Sequence, residues 1–412
     1  MKKQLLCTSA IALGIAAAPA VAQDWNMDWG GFYNTHIAVG DISSNFGNAA
    51  PAIPRPKFDG DGFDIHTNPE IHFTPSVKLD NGLSFGINVQ LEANTTGGAF
   101  IDESYASIWS DTFGRLDVGN ENSAGYKMMV GAPGVTTMWI NSPSTSTFIP
   151  YTGVDAFIGI NTVIPVGSAL TALPFRQAGL SAYTEVAGNN DVSRITYYTP
   201  DFNGLTVGLS YANQGAVNAG SSFSINKNAV LSDIFDIGVS YSNTFGSTDV
   251  TLAARWGTGD TPSVAVGNSN PDTWGVGFQV GFNNITVGGS YTENDNDETL
   301  APAGIITFGD SKGWSFGVTY DTSGPWSFEA LTYQSETNLN AAGARIPGAK
   351  TDREAYRIGA SRPLGPGVDW DIYVVYESRD AKPGTLPAAF AAALSGTEVE
   401  GTVLGTAINL SF

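Results

Sequence analysis

From Glu70 to Asn94 the chain alternates: Ile71, Phe73, Val77, Leu79, Leu83, Phe85, Ile87, Val89 and Leu91 share one phase, and Glu70, His72, Thr74, Ser76, Lys78, Ser84, Asn88, Gln90 and Glu92 the other. A period of two is the mark of β-strands, and Asp80-Asn81-Gly82 between the two runs marks a hairpin turn. Continued along the chain, the same period predicts sixteen strands, near 31-40, 70-80, 83-92, 101-110, 114-119, 192-199, 204-213, 234-243, 248-257, 273-282, 285-293, 312-321, 326-335, 353-362, 368-377 and 402-412. Most have about the 9 to 11 residues that cross a bilayer when tilted. Their connections alternate in length. Tight turns such as Asp111-Thr112-Phe113, Pro200-Asp201-Phe202-Asn203, Asn283-Asn284 and Pro363-Leu364-Gly365-Pro366 are separated by long polar segments at 41-69, 120-191, 212-233, 294-311, 336-352 and 378-401. An all-β, up-and-down barrel with turns at one end and loops at the other produces that alternation, whereas a Greek-key sandwich does not.

The period does not say which face is inside; the aromatic residues do. Tyr211, Trp256, Trp274, Tyr291, Trp314 and Tyr376 fall at the loop ends of strands, and Tyr241, Phe282, Tyr320 and Phe412 at the turn ends, mostly in the apolar phase. Two belts of this kind are what an outward-facing membrane surface carries. The apolar phase is therefore expected to face lipid or a neighbouring subunit, and the polar phase a water-filled lumen. Two places resist the pattern. In 326-335, Trp326 and Phe328 run in one phase but Leu331 and Tyr333 in the other, which predicts a bulge. Pro75 cannot donate to a ladder, and a local bulge is expected there too.

The first residues carry an export signature: Lys2 and Lys3, an apolar run from Leu5 to Ala18, and Ala20-Val21-Ala22 before Gln23. Residues 1-22 are read as a cleaved signal peptide and 23-412 as a single barrel domain. Cys7, the only cysteine, lies in the leader, and Leu6 stands before it where a lipoprotein anchor needs a small residue. The mature chain then has neither a disulfide nor a thiolate metal site. A formal net charge of −20 argues against nucleic acid as a partner and suits the passage of cations as well as simple solubility.

Three stretches carry a family resemblance. Asp191 to Tyr211, with Tyr198-Thr199-Pro200-Asp201-Phe202-Asn203-Gly204 at its centre, resembles the strand-turn-strand element of the Gram-negative porins, the trimeric 16-stranded diffusion channels of bacterial outer membranes. Phe113 to Gly119 is similar to the strand leading into that family's constriction loop, and Ala407 to Phe412 resembles the C-terminal signal read by the barrel-assembly machinery. The glycine-rich, acidic, cysteine-poor style resembles the alphaproteobacterial members most. The resemblance implies a homotrimer in contact with outer-membrane lipid and lipopolysaccharide, and a third loop, here 120-191, folded inward to narrow the pore. That loop is long for the family and holds apolar patches such as Phe157-Ile158-Gly159-Ile160.

The family sets loop carboxylates against a basic cluster on the wall, where low-dielectric surroundings strengthen the field. Carried onto this chain, the acidic side is Glu121, Asp155, Glu185 and Asp191. The polar phase selects His36, His72, Lys78, Arg115, Arg194, Arg255, Arg353 and Arg357 for the wall, with Arg357, between Tyr356 and Ile358, expected at pore height. Solvated lumen charge without special function is an equal reading for any one of them. Asp59, Asp61 and Asp64, and Asp295 and Asp297, place oxygens at alternate positions in expected loops and are candidate structural calcium ligands; no other cofactor is expected. With three histidines and no nucleophile elbow, zinc-binding or phosphate-loop motif, catalysis finds no support. The expected function is passive diffusion of small hydrophilic solutes and ions with a mild cation preference. Alternatives are a substrate-selective outer-membrane channel or an exported soluble all-β binding protein.

Overall fold

The computed structural model describes residues 24-45, 61-93, 101-137, 175-176, 185-186, 191-215, 231-260, 270-295, 306-341, 344-385 and 397-412. Among them, the expected strands are all present and in order. They are β1 (Trp29–Asn45), β2 (Gly62–Phe73, continued by Ser76–Lys78), β3 (Ser84–Glu92), β4 (Ile101–Ser110), β5 (Gly114–Glu121), β6 (Val192–Tyr198), β7 (Leu205–Gln214) and β8 (Ser232–Phe245). Next come β9 (Thr248–Asp260), β10 (Asp272–Phe282), β11 (Ile285–Asp295), β12 (Ile306–Asp321), β13 (Ser327–Ala341), β14 (Ala344–Gly365), β15 (Val368–Pro383) and β16 (Thr397–Ser411). Each pairs antiparallel with its sequence neighbours, and β1 pairs with both β2 and β16, so the sheet closes into a 16-stranded barrel without a free edge. No helix of the described residues is long and apolar enough to cross a membrane.

The faces are arranged for lipid outside. Val276, Phe278, Phe316, Ile358, Val374 and Leu404 are exposed on the outer surface, while Thr196, Thr273, Thr292, Asp236 and Glu377 are buried on the inner one. In the opening hairpin Ile71, Leu79 and Ile87 are exposed and Ser84 is buried, so its apolar phase does face outward. The outer aromatic belt is also a cross-strand feature. Trp256 is the register partner of Trp274, Tyr291 of Trp314, and Tyr356 of Tyr376, and the Trp274 and Tyr291 ring centroids lie 5.4 Å apart. At the turns, Asn203 (φ 55°), Asn283 (φ 52°) and Gly82 (φ 85°) supply the left-handed conformations that tight connections need.

Both expected bulges are corrected. β13 keeps an unbroken register against β14 from Ser327 to Asn338, and its irregularity comes only beyond that point. Leu331 and Tyr333 point inward and are buried with Ala132, Ala355, Tyr373 and Val375. An apolar patch is tolerated inside this lumen because a segment of the same chain covers it. At Pro75, the two pieces of β2 meet β3 in one continuous register, Phe73 opposite Val89 and Ser76 opposite Gly86, so no residue is inserted. Ile87 N–H donates to the Pro75 carbonyl at 3.1 Å, and only the reciprocal bond is missing.

Several strands run further than expected, taking in parts of the segments read as loops. β2 begins at Gly62, β12 at Ile306 and β14 at Ala344, because strand pairing continues beyond the belt that a bilayer-length template marks as the end. This outer extension is braced by charge. Lys312 Nζ lies 2.9 Å and Lys350 Nζ 2.7 Å from the Glu336 carboxylate, and Lys350 also reaches Asp352 at 2.9 Å. The two lysines, first through their hydrogen bonds, hold Glu336 down at about 2, from 4.5. A carboxylate with a depressed folded-state value stabilises above its unfolded value and loses that contribution as pH falls toward the folded one. Glu336→Gln is therefore expected to speed backbone amide exchange at the outer ends of β12 and β14 at neutral pH, and the difference from wild type should vanish as pH falls from about 4.5 toward about 2. Equal exchange at pH 7 would show that the pairs add nothing.

Candidate functional site: a constriction segment on the inner wall

After β5 the chain turns into the barrel. Ser123 caps the short helix α1 (Ala124–Met128), its hydroxyl accepting from Tyr126 N–H at 3.2 Å, and an irregular, bending run follows to Thr137. Where the segment is pressed against the wall its buried backbone groups need partners, and the wall supplies several of them. Ala124 N–H donates to Ser210 Oγ (2.8 Å), Gly125 N–H to Asp236 Oδ1 (2.5 Å) and Ala132 N–H to Ser315 Oγ (3.0 Å), while Gln279 Nε2 donates to the Gly131 carbonyl (3.0 Å). Val135 and Thr136 N–H donate to Glu329 Oε2 (2.5 and 3.2 Å) and Thr136 Oγ1 to Oε1 (2.7 Å). Thr137 N–H donates to Asp371 Oδ2 at 2.9 Å. The segment thus lies along the wall from β7 to β15 instead of bridging the lumen.

The wall arginines serve this arrangement. Arg255 pairs with Asp236, both fully buried, and Arg357 Nε lies 2.8 Å from Glu329 Oε1, again with both side chains out of water. Arg353 pairs with Glu377 at 2.6 Å and stacks its guanidinium over Tyr333. Each guanidinium is neutralised by a wall carboxylate, and Asp236 and Glu329 also hold the segment's amides. Arg357 is where its phase put it, but it lies beneath the constriction segment and not facing open water; the same correction applies to Arg255. Arg194 is buried on β6. Arg115 is half-exposed near the turns and donates to Asp117 at 2.8 Å, and Lys78 is exposed at the turn end of β2.

On the acidic side, Glu121 and Asp191 are buried and not facing open water. Glu121 ends β5, is fully buried, and accepts from Lys127 Nζ at 2.5 Å; Asp191, buried and left-handed (φ 50°), accepts from Asn122 at 3.0 Å. Glu185 sits opposite Arg176 in a two-residue pairing, and Asp155 lies outside the described residues. Residues 122-137 carry no carboxylate, and their one charged side chain is Lys127. Partly exposed acids stand on the opposite hairpin, where Glu70 and Glu92 are register partners on β2 and β3. His72 donates to Glu70 at 2.9 Å with its ring edge-on to Phe32, and His36 meets the Tyr373 hydroxyl at 2.9 Å.

Of the candidate calcium ligands, Asp59 and Asp297 lie outside the described residues. Asp61 accepts from Ile42 N–H, Asp64 from Ile65 N–H, both at 2.8 Å, and Asp295 ends β11. No group of three or more such ligands comes together among the described residues.

Residues that sequence reading passed over hold the inner segment to the wall: Asp236, Glu329 and Asp371. Each stands in the polar phase between two outward apolar neighbours, as in Phe235-Asp236-Ile237 and Trp370-Asp371-Ile372. The phase places each of them in the lumen, but nothing local shows that it meets a backbone amide of a remote segment.

A closed barrel with an apolar exterior, a largely polar interior and a segment packed along its inner wall has the architecture of an outer-membrane channel. Residues 8–382 match the Gram-negative porin family model, and the chain belongs to that family. The sequence has no match among curated proteins. Among solved structures, the chain is similar to the outer-membrane channel DcaP of Acinetobacter baumannii, with 10% identity, 97% of this chain and 100% of that one covered and a TM-score of 0.55. An anion-selective porin from Comamonas acidovorans shares 15% identity over 94% of this chain and 100% of its own at a TM-score of 0.53. The trimer form of the outer-membrane protein OmpT of Vibrio cholerae shares 12% over 94% and 99% at 0.53. At these identities the likeness is one of fold.

Proposed function

We propose that this channel passes small hydrophilic solutes and ions by passive diffusion with a mild cation preference. The observation that carries the preference is the pairing of charges. The buried wall arginines Arg255, Arg353 and Arg357 each meet a carboxylate, whereas Glu70 and Glu92 keep access to water on the wall that residues 122-137 leave uncovered. A passing ion therefore meets a net negative field. The protein works as an exported homotrimer, with residues 1-22 removed as a signal peptide and Phe412 presented to the assembly machinery. Support for a subunit-facing side comes from the outer belt. Its tryptophans and tyrosines run from Tyr211 on β7 to Tyr376 on β15, while the outer ends of β1 and β2 present Val39, Phe63 and Ile65. No turnover chemistry is involved.

Reconstituted in a planar bilayer, the protein should give stepwise conductance and a cation-signed reversal potential in a KCl gradient. Glu70→Gln combined with Glu92→Gln should move that potential toward zero with the barrel intact. A zero or anion-signed value for the unaltered protein would sink the preference, and absence of steps would sink the diffusion channel.

A further inference from the structure

The constriction segment sits against the wall closely because wall and segment trade glycines. Under the segment's bulkier groups the wall has no side chain. A Cβ at Gly208 would lie 2.7 Å from Met128 Sδ and 2.8 Å from Ala124 Cβ, one at Gly277 would enter the Val130 carbonyl itself, and one at Gly359 would lie 2.7 Å from Thr136 Cγ2 and closer still to Oε1 of Glu329, the wall carboxylate that holds Thr136. Over the wall's charged groups the segment in turn has none. A Cβ at Gly134 would lie 2.8 Å from an Arg357 guanidinium nitrogen, and one at Gly125 would enter the Asp236 carboxylate. Contacts under 3.0 Å are closer than side-chain carbons come to non-bonded atoms, so any added atom displaces something.

An independent feature gives that displacement a direction. Asp236 near one end, and Glu329 and Asp371 near the other, hold the segment by its amides. A segment tied at both ends and backed by a closed sheet can yield only toward the lumen. We infer that Gly208, Gly277 and Gly359 on the wall are size-determining residues of the pore: by lacking side chains they let the constriction segment lie flat, and so set the largest solute that passes.

This rests on the diffusion-channel reading, and the experiment separates the two. Single-channel conductance and the size limit for neutral sugars in a liposome-swelling assay are measured for the unaltered protein, Gly277→Ala, Gly208→Ala, Gly208→Ala with Met128→Ala, and Gly365→Ala. A Cβ at Gly365 meets nothing within 4 Å, so that variant is the control. Gly277→Ala should lose roughly a third or more of the conductance and exclude sugars that the unaltered protein admits, because overpacking is relieved by backbone shifts. Gly208→Ala should lose less, and removing the Met128 thioether should return part of it, since the contact with Ala124 Cβ stays. If Gly277→Ala does not fold to a heat-modifiable barrel, the Gly208 pair decides the matter. Wild-type conductance and size limit in the folded glycine variants would overturn the inference while leaving the channel standing; an unaltered protein that admits no sugars would overturn the channel reading instead.

Discussion

Glu329→Gln should produce a barrel that folds less stably and conducts unsteadily. Glu329 accepts from Val135 and Thr136 and faces Arg357, and Glu329, Thr136 and Arg357 are all buried. Removing the charge leaves a buried guanidinium uncompensated, a loss that runs to about 3–5 kcal/mol when one member of a buried pair is taken away. It also weakens the tie near the far end of the constriction segment. The urea midpoint of the refolded protein should fall, and single-channel traces should flicker between sublevels where the parent gives one level. Glu329→Gln with Arg357→Met, which removes both charges, should recover much of the stability but not the steady conductance, because one neutral amide oxygen replaces the two carboxylate oxygens that hold Val135 and Thr136. A Glu329→Gln barrel with the parent's midpoint and noise would mean that the pair is incidental.

The second large effect lies on the outside. Val276 sits mid-strand on β10, exposed on the outer face, with Trp274 toward one rim and Phe282 toward the other. An arginine there must leave its charge in hydrocarbon, at about 2–4 kcal/mol near the bilayer midplane. Val276→Arg should lower the yield of heat-modifiable barrel in lipid vesicles and shift the folding equilibrium by that amount. Gln90→Arg, on the lumenal face of β3, should fold normally and move only the reversal potential. If the two variants fold equally well in lipid, the inside-out assignment of the faces is wrong.

The contrast between what the chain announced and what it concealed follows from the distance over which each signal acts. Strand existence and facing are local: alternation in Trp274-Val276-Phe278-Val280-Phe282, turn residues at Asn283-Asn284 and belt aromatics at strand ends suffice to find every wall strand in order. Strand lengths were less clear, since nothing local marks where pairing stops once it leaves the bilayer. The constriction was the hardest to read because its partners are remote in sequence. Val135 finds Glu329, Thr137 finds Asp371, and Gly125 finds Asp236. The inward Leu331 and Tyr333 looked like an irregular strand for the same reason, since the cover that makes them acceptable, Ala132, lies elsewhere in the chain. A carboxylate in a polar phase shows that it faces the lumen but not whether it meets water, an arginine or a backbone amide.

The closing seam governs the order in which this molecule can be built. β1 and β16 pair along their length from Phe32 opposite Ser411 to Asn45 opposite Glu398, and Gly31 and Phe412 exchange backbone hydrogen bonds at 3.1 and 3.2 Å. The partners are the first and last strands among the described residues, so the wall cannot close before β16 is delivered. Until then β1 presents an unpaired edge, the kind of surface that recruits foreign strands. The entropy of joining such distant ends is modest, since each doubling of a loop adds only about 0.6 kcal/mol. Time is the heavier cost, because non-local pairing slows folding. A chain of this topology therefore needs its opening edge shielded during assembly, and its last strand acts as the latch.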